Sequence, residues 1–133
     1  MKISHLIDTD WVIHYLHGNE KIVKKLNFFN RKGSLAISII SLAELYEGIH
    51  YSSDPLGNEN ALQGFLSGVS ILGIDDEICR IFGRERGRLR QQKKIVSDFD
   101  LLIGSTCINY NLSLLTNNRK HFEMIKGLNI LSL

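Results

Sequence analysis

Four acidic residues of this 133-residue chain lie where apolar segments meet predicted helix starts. They are Asp8, Glu44, Asp98 and Asp100. Because the carboxyl ends of parallel strands meet at one edge of a sheet, such acids can converge there although they are far apart in sequence. Clustered carboxylates repel one another and bind hard divalent cations. The pattern therefore predicts a Mg²⁺ or Mn²⁺ site.

Each acid also has a purely structural interpretation. Ser41-x-x-Glu44 and Ser97-x-x-Asp100 match a capping box, in which the acid bonds a backbone N–H group at the start of a helix. The other two acids suit the N-cap position. Capping and metal binding are compatible, because a helix N-terminus stabilises negative charge for either purpose. The arrangement of strand, acid and helix, repeated at each junction, favours a common site.

Apolar segments alternate with helical periodicity along the chain, which predicts parallel βαβ units. Strands are predicted at Ile3–Ile7, Leu35–Ile37, Val69–Ile74, Leu112–Leu115 and Asn129–Leu131. Helices are predicted at Trp11–Leu16, Ile22–Phe29, Leu42–Tyr51, Ala61–Leu66, Ile78–Arg90 and Leu101–Tyr110. The expected fold is α/β, a three-layer α/β/α sandwich with a mainly parallel sheet of about five strands. We expect it to form a single domain over residues 1–133.

The composition is that of an ordinary globular protein, with 44% hydrophobic and 23% charged residues. No apolar run approaches the roughly 20 residues of a membrane span, and no signal-peptide pattern is present. We therefore expect a cytoplasmic protein without a membrane partner. Cys79 and Cys107 lack metal-ligand spacing and are expected to be buried thiols, which suits a reducing compartment.

A net charge of +2 identifies no partner, but the distribution of charge is informative. Between Arg80 and Lys94 there are seven cationic residues and one acid. A helix charged on two faces is usually a solvated helix. The alternative is a surface that contacts the phosphates of a nucleic acid. The residues assigned to that surface are Arg84, Arg86, Arg88 and Arg90.

Four segments, in this order, resemble the PIN-domain ribonucleases, and in particular the VapC toxins of toxin–antitoxin pairs. They are Leu6–Ile13, Ser41–Ile49, Asp98–Thr106 and Leu114–Asn118. The resemblance runs from residue 3 to near the C-terminus. It implies a metal-dependent endoribonuclease that uses Mg²⁺ or Mn²⁺ to cut RNA. It also implies a homodimer and a cognate antitoxin protein as partner.

The resemblance assigns roles to the acids. Asp8, Glu44 and Asp100 correspond to the acidic core of the family, and Asp98 is a candidate additional acid. Because Mg²⁺ typically takes one or two carboxylates directly, we expect Asp8 and Asp100 to bind the metal and Glu44 to hold a metal-bound water.

The polar loop after the fourth strand supplies further candidates. Asn117 is a candidate for orienting water or a phosphate oxygen, and Thr9, Thr116 and Asn118 are candidates for positioning the substrate. Many relatives carry a further Asp in this loop, where the present sequence has Asn118 and His121. That difference leaves open whether one or two metal ions bind.

Two other functions fit parts of the sequence. Ile7-Asp8-Thr9-Asp10 also fits the entry motif of haloacid-dehalogenase-like phosphatases, with Asp75-Asp76 as the later acid pair. Asp8 would then be a covalent nucleophile and Asp10 an acid/base, but the other core acids would have no role. The second alternative is a PIN fold that has lost catalysis and only binds RNA or a protein. The missing fourth acid supports it, whereas retention of the other core acids argues against it.

Overall fold

One parallel sheet organises the computed structural model, which describes residues 2–30 and 33–133. In that part of the chain the strands are β1 (His5–Ile7), β2 (Leu35–Ser38), β3 (Ser70–Leu72), β4 (Ser113–Leu115) and β5 (Asn129–Leu131). They pair in the order β3-β2-β1-β4-β5, and every pairing is parallel. Leu6 pairs with Ala36 on one side and with Leu114 on the other, so β1 is the central strand.

Helices cover both faces of this sheet. Those in the described part of the chain are α1 (Thr9–Leu16), α2 (Glu20–Phe29), α3 (Ile39–His50), α4 (Pro55–Leu66), α5 (Asp76–Gln91), α6 (Asp98–Tyr110) and α7 (Arg119–Phe122). Leu6 packs in a core with α5, α6 and α7, whereas Ile7 packs in another with α1 to α4. Successive side chains of a strand point to opposite faces, so these cores lie on opposite sides of the sheet. The predicted three-layer α/β/α architecture is confirmed.

The helices begin earlier than predicted. α3 starts at Ile39 because Ser38, the last residue of β2, is also the N-cap, and its Oγ accepts the Ile40 N–H at 3.0 Å. The predicted capping box at Ser41 and Glu44 is therefore wrong, since both residues lie inside the helix. At α6 the Ser97 Oγ does accept the N–H of Asp100, at 3.2 Å, so that cap is confirmed. The four-residue helix α7 was not predicted.

Burial along α5 corrects one prediction about the cysteines. Cys107 on α6 is buried as expected, but Cys79 on α5 is exposed. The buried positions of α5 recur every three or four residues, and Cys79 lies one position beyond that stripe, about 100° around the helix. The stripe consists of Ile78, Ile81, Glu85 and Leu89.

Among the residues that the structure describes, no helix combines the length and apolarity needed to cross a membrane.

Glu85 is the charged member of this buried stripe. Its Oε1 accepts the N–H of Lys126 at 2.8 Å and the Nε–H of Arg88 at 3.0 Å. Arg88 also donates to the carbonyl of Met124 at 2.6 Å. Burial alone would raise the pKa of Glu85, but these hydrogen bonds and the nearby positive charges hold that pKa below its ordinary value. The cluster fastens α5 to the segment between α7 and β5.

We predict that Glu85→Gln lowers the free energy of unfolding at pH 7 by about 1–3 kcal/mol, because hydrogen bonds to the carboxylate are lost or weakened. A lowered pKa in the folded state means that this stabilisation is complete above the ordinary pKa of 4.5 and is lost as the pH falls through the folded value. Denaturant unfolding at several pH values measures the difference. The exposed Glu59→Gln on α4 is the control, with a change below about 0.5 kcal/mol. Equal effects of the two substitutions would contradict this role of Glu85.

Candidate active site

A pocket of about 440 Å³, called here the acidic pocket, lies outside the ends of β1 and β4 and gathers residues that follow these strands, one residue of α3 and the start of α6. The strand order reverses between these two neighbouring strands, and ligands of open α/β sheets bind in the crevice outside such a reversal. The acidic pocket is lined by Thr9, Ser97, Phe99, Asn118, His121 and five acids, Asp8, Asp10, Glu44, Asp98 and Asp100. The structure thus brings together all four acids identified in the sequence and adds Asp10 to them.

Asp8 is the most buried of these acids, with only 5% of its surface exposed. It occupies the N-cap position of α1 but makes no side-chain capping bond, so capping does not occupy its carboxylate. Instead, the Oγ1–H of Thr116 donates to Asp8 Oδ2 at 2.7 Å. Burial raises the pKa of Asp8 to about 7, against the effect of the Thr116 hydrogen bond, and the charge of Asp10 raises it further. Near neutral pH this carboxyl is therefore divided between its protonated and ionised forms.

The hydroxyl of Thr116 joins Asp8, which follows β1, to the loop after β4. It is fully buried, so it contacts Asp8 rather than a ligand in the pocket, and the predicted substrate-positioning role does not fit its location. Its Oγ1 also accepts the N–H of Asn118 at 3.0 Å and lies 3.5 Å from Asp10 Oδ1. Asp10 Oδ2 accepts the N–H of Asn117 at 3.3 Å. Sequence reasoning gave Asp10 a role only in the phosphatase alternative, although its place in the first turn of α1 was a signal for this site.

A second threonine holds a second acid. The Oγ1–H of Thr9, the first residue of α1, donates to Glu44 Oε1 at 2.8 Å. Burial raises the pKa of Glu44, the Thr9 hydrogen bond opposes the shift, and the charge of Asp100 adds to it. The carboxylates of Glu44 and Asp100 are therefore close enough to repel each other. Thr9, which was predicted to position substrate, contacts an acid of the site in this structure.

Asp100 and Asp98 differ in their partners. Asp100 Oδ2 lies 3.3 Å from Nδ1 of His121, and that side chain also lines the acidic pocket. Asp98 Oδ1 accepts from Arg86 Nη2 at 2.7 Å, and the Asp98 side chain is 77% exposed. Asp98 is therefore an exposed acid that already has a strong cationic partner, which distinguishes it from the acids deeper in the pocket.

Asn117 does not line the acidic pocket, so its predicted catalytic role requires correction. Its side-chain oxygen accepts the indole N–H of Trp11 at 3.1 Å and the backbone N–H of Leu133 at 2.9 Å. These two bonds tie the loop after β4 to α1 and to the end of the chain. Its neighbour Asn118 is the amide side chain that does line the pocket.

The four arginines proposed to contact RNA divide into two pairs. Arg86 donates to Asp98 and to the carbonyl of Val96, and Arg88 is bound to Glu85 and Met124. These two side chains therefore support the fold. Arg84 and Arg90 are exposed, and within the described residues none of the four lines the acidic pocket. Contact with RNA stays a prediction, and of the four arginines only Arg84 and Arg90 are exposed.

The oxygen atoms of the acidic pocket suit a hard divalent cation. Among the described residues that line it there is no lysine or arginine, so most of its negative charge lacks a cationic partner. No three His, Cys, Asp or Glu side chains in the described part of the chain converge closely enough to enclose an ion by themselves. Mg²⁺ keeps several waters and takes only one or two carboxylates directly, so this open arrangement fits its coordination.

The phosphatase alternative lacks geometric support. Asp75 and Asp76 follow β3, the strand at the outer edge of the sheet, rather than a neighbour of β1. Asp75 caps α5 by accepting the Ile78 N–H at 2.9 Å, and Asp76 is paired with Arg80. Neither lines the acidic pocket, where that mechanism would require a later acid pair beside Asp8.

Comparison with known proteins gives consistent matches along the chain. The PIN domain family profile matches residues 5–128. The chain is 31% identical over 125 residues to Ribonuclease VapC2 of Rickettsia felis, covering 93% of each protein. It is 29% identical over 126 residues to the tRNA(fMet)-specific endonuclease VapC of Shigella flexneri, covering 95% of each. The fold is also similar to a chain in the crystal structure of VapBC2 from Rickettsia felis bound to a promoter DNA fragment, with a TM-score of 0.91 and 29% sequence identity. That similarity covers 100% of this chain and 99% of the other.

We predict that Asp8→Asn stabilises the metal-free protein, with a gain that grows from about pH 4 to about pH 7. The folded protein keeps a proton on Asp8 up to a pKa of about 7, whereas the unfolded chain loses it near 3.8. The folded state therefore binds more protons over this interval, and wild-type stability falls as the pH rises. Asparagine does not titrate, so the free energy of unfolding of Asp8→Asn should exceed that of the wild type by the order of 3 kcal/mol at about pH 7.

Thermal melts in chelator across this pH range measure the difference. Asp98→Asn is the matched control, because Asp98 is exposed and paired with Arg86. Its effect on stability should be small. An Asp8→Asn difference that is independent of pH would contradict the raised pKa of Asp8.

Proposed function

The chain belongs to the PIN-domain family and, within it, to the VapC ribonucleases, and we propose that it is a divalent-metal-dependent endoribonuclease. One observation carries the metal dependence. The carboxylates of Asp8 and Glu44 are held by the neutral hydroxyl groups of Thr116 and Thr9, which orient these two acids without cancelling their charge. An RNA phosphate is itself negative, so it can approach this pocket only when a cation offsets the carboxylates.

The proposed roles follow from the partners of each acid. Asp8 and Asp100 would hold Mg²⁺ or Mn²⁺ directly, and Glu44 would orient a water molecule. Thr116 and Thr9 keep Asp8 and Glu44 in place through their hydrogen bonds. When bound, the ion would supply an activated water and would neutralise charge that develops on the phosphate during hydrolysis. Asp98 is left out of this set because Arg86 already pairs with it.

We further propose that one metal ion serves the site. His121 lies beside Asp100 in the loop where a further carboxylate would favour a second ion. An imidazole is a poor ligand for Mg²⁺, which prefers oxygen atoms. Asn118 offers only a neutral amide, which suits contact with a phosphate oxygen or with water rather than retention of an ion.

The proposed protein partner is an antitoxin, which makes this chain the toxin of a toxin–antitoxin pair. A cavity of about 280 Å³ between α1, α3 and α4 is lined by apolar residues that include Ile13, Leu16 and Ile49, and Glu44 borders it as well as the acidic pocket. A peptide lying in this groove can therefore bring a basic side chain to the carboxylates. The similarity to a chain of a VapBC complex supports this partner.

We also propose that the protein forms a homodimer. The exposed apolar side chains of α3, α4 and the turn between them include Tyr46, Tyr51 and Leu56 and provide a surface for a second subunit. Phe65, also on α4, is not part of this surface, because it packs against Tyr15, with ring centroids 5.1 Å apart, and against the core.

We predict that the purified protein cuts single-stranded or loop RNA in the presence of Mg²⁺ or Mn²⁺. Transfer RNA is the first substrate to test, because one relative of the chain is named a tRNA(fMet)-specific endonuclease. Asp8→Asn and Asp100→Asn should each lower the rate by at least about a hundredfold, since each removes a charged ligand from the site. Asp98→Asn should retain most of the activity and is the matched control. Gel analysis of end-labelled RNA measures cutting.

Chelator and thermal melts complete this test. Excess chelator should abolish cutting, and Mg²⁺ should raise the melting temperature of the wild type more than that of Asp100→Asn, by the mass-action effect of binding. Full activity in chelator would contradict the metal dependence. RNA binding without cutting under every metal condition would favour the alternative of an inactive binding module.

A further inference from the structure

Resting on the proposed function, we propose that Phe99 is a stacking platform for an unpaired nucleobase of the RNA next to the phosphate that is cut. Phe99 lines the acidic pocket, and 49% of its surface is exposed. It is the one apolar side chain among the described residues that line this pocket. The ring is therefore accessible to a ligand that enters the pocket.

The position of the ring is set by the start of α6. Ser97 caps the helix through the N–H of Asp100, and the first three helical residues are Asp98, Phe99 and Asp100. Side chains in the first turn of a helix fan outward at about 100° per residue. All three side chains line the same pocket, so the capped first turn of α6 places the ring of Phe99 there together with the two acids.

The negative charge of the acidic pocket favours an uncharged contact with RNA. The described residues that line the acidic pocket include no lysine or arginine that can bind a phosphate, and the carboxylates repel the backbone of RNA. A nucleobase is uncharged and presents a flat apolar face. Proteins that bind unpaired RNA bases commonly stack them on aromatic side chains, and every base has a suitable face. Phe99 therefore offers the RNA an attractive contact that does not depend on charge.

Other exposed apolar residues do not share this location. Tyr51, Leu56 and Ile95 are more exposed than Phe99, but none of them lines the acidic pocket. Their exposure suits contacts with protein partners elsewhere on the surface. Phe28 is also an exposed phenylalanine outside the pocket, so it serves as a matched control for substitutions of Phe99.

The experiment measures RNA binding in the presence of Mg²⁺ in the Asp8→Asn background, where the probe is not cut and the other carboxylates of the pocket remain. One probe is a fluorescently labelled oligoadenylate of eight nucleotides, and the other is an abasic oligoribonucleotide with the same number of phosphates. Phe99→Leu should weaken binding of the oligoadenylate by about fivefold to a hundredfold, as expected for the loss of one stacked base. It should leave binding of the abasic probe unchanged. Phe99→Trp should bind the oligoadenylate as well as the parent does, and Phe28→Leu should have no effect.

Salt dependence separates stacking from phosphate binding. Loss of a stacked base should shift the logarithm of the dissociation constant by the same amount at every salt concentration, because no counterion is released. Equal losses for both probes, or an unchanged affinity for the oligoadenylate, would overturn the proposal. A Phe99→Leu protein that differs from its parent only in its oligomeric state would also overturn the proposal. A wild-type protein that cuts no RNA would instead count against the proposed function.

Discussion

Repulsion among carboxylates at the carboxyl edge of the sheet is the constraint on which this structure depends. Two carboxylates about 4–5 Å apart repel by the order of 1 kcal/mol at a solvated site, and by more where water is excluded. A fold that cancelled this repulsion with arginine or lysine would leave no charge for a cation. Here the hydroxyls of Thr9 and Thr116 orient Glu44 and Asp8 without neutralising them. Burial is the main cause of the raised pKa values of Asp8 and Glu44, and the charges of Asp10 and Asp100 raise them further.

The topology makes such crowding possible. With β1 at the centre and β4 beside it, the residue after β1 and the residue after β4 are neighbours, which places Asp8 within hydrogen-bonding distance of Thr116. Glu44 reaches the same place from the second turn of α3, and Asp100 from the first turn of α6. Helices α5 and α7 pack with α6 in the core on one face of the sheet. The hydrogen bonds of the buried Glu85 hold α5 against the segment that follows α7.

The sequence revealed the parts of this site that follow from periodicity and residue type. Alternating apolar segments predict the parallel sheet, and acids at strand-to-helix junctions then predict a common edge, so the convergence of Asp8, Glu44 and Asp100 was foreseeable. Hydrogen bonds and ion pairs between residues distant in the sequence could not be predicted in this way. The arginine run gave no sign that Arg86 and Arg88 bind partners within the fold. Nor did the polar loop show that Asn117 is bound by Trp11 and by the end of the chain.

Proton release on metal binding tests the central claim most directly. If Asp8 is a buried ligand whose pKa is about 7, Mg²⁺ must displace a proton from it below that pH. Calorimetric titration with Mg²⁺ in buffers of different ionisation enthalpy measures the protons released. The account predicts nearly one proton per ion at about pH 6, a value close to zero at about pH 8, and almost none for Asp8→Asn at either pH. Mg²⁺ binding to the wild type at pH 6 without proton release would contradict it.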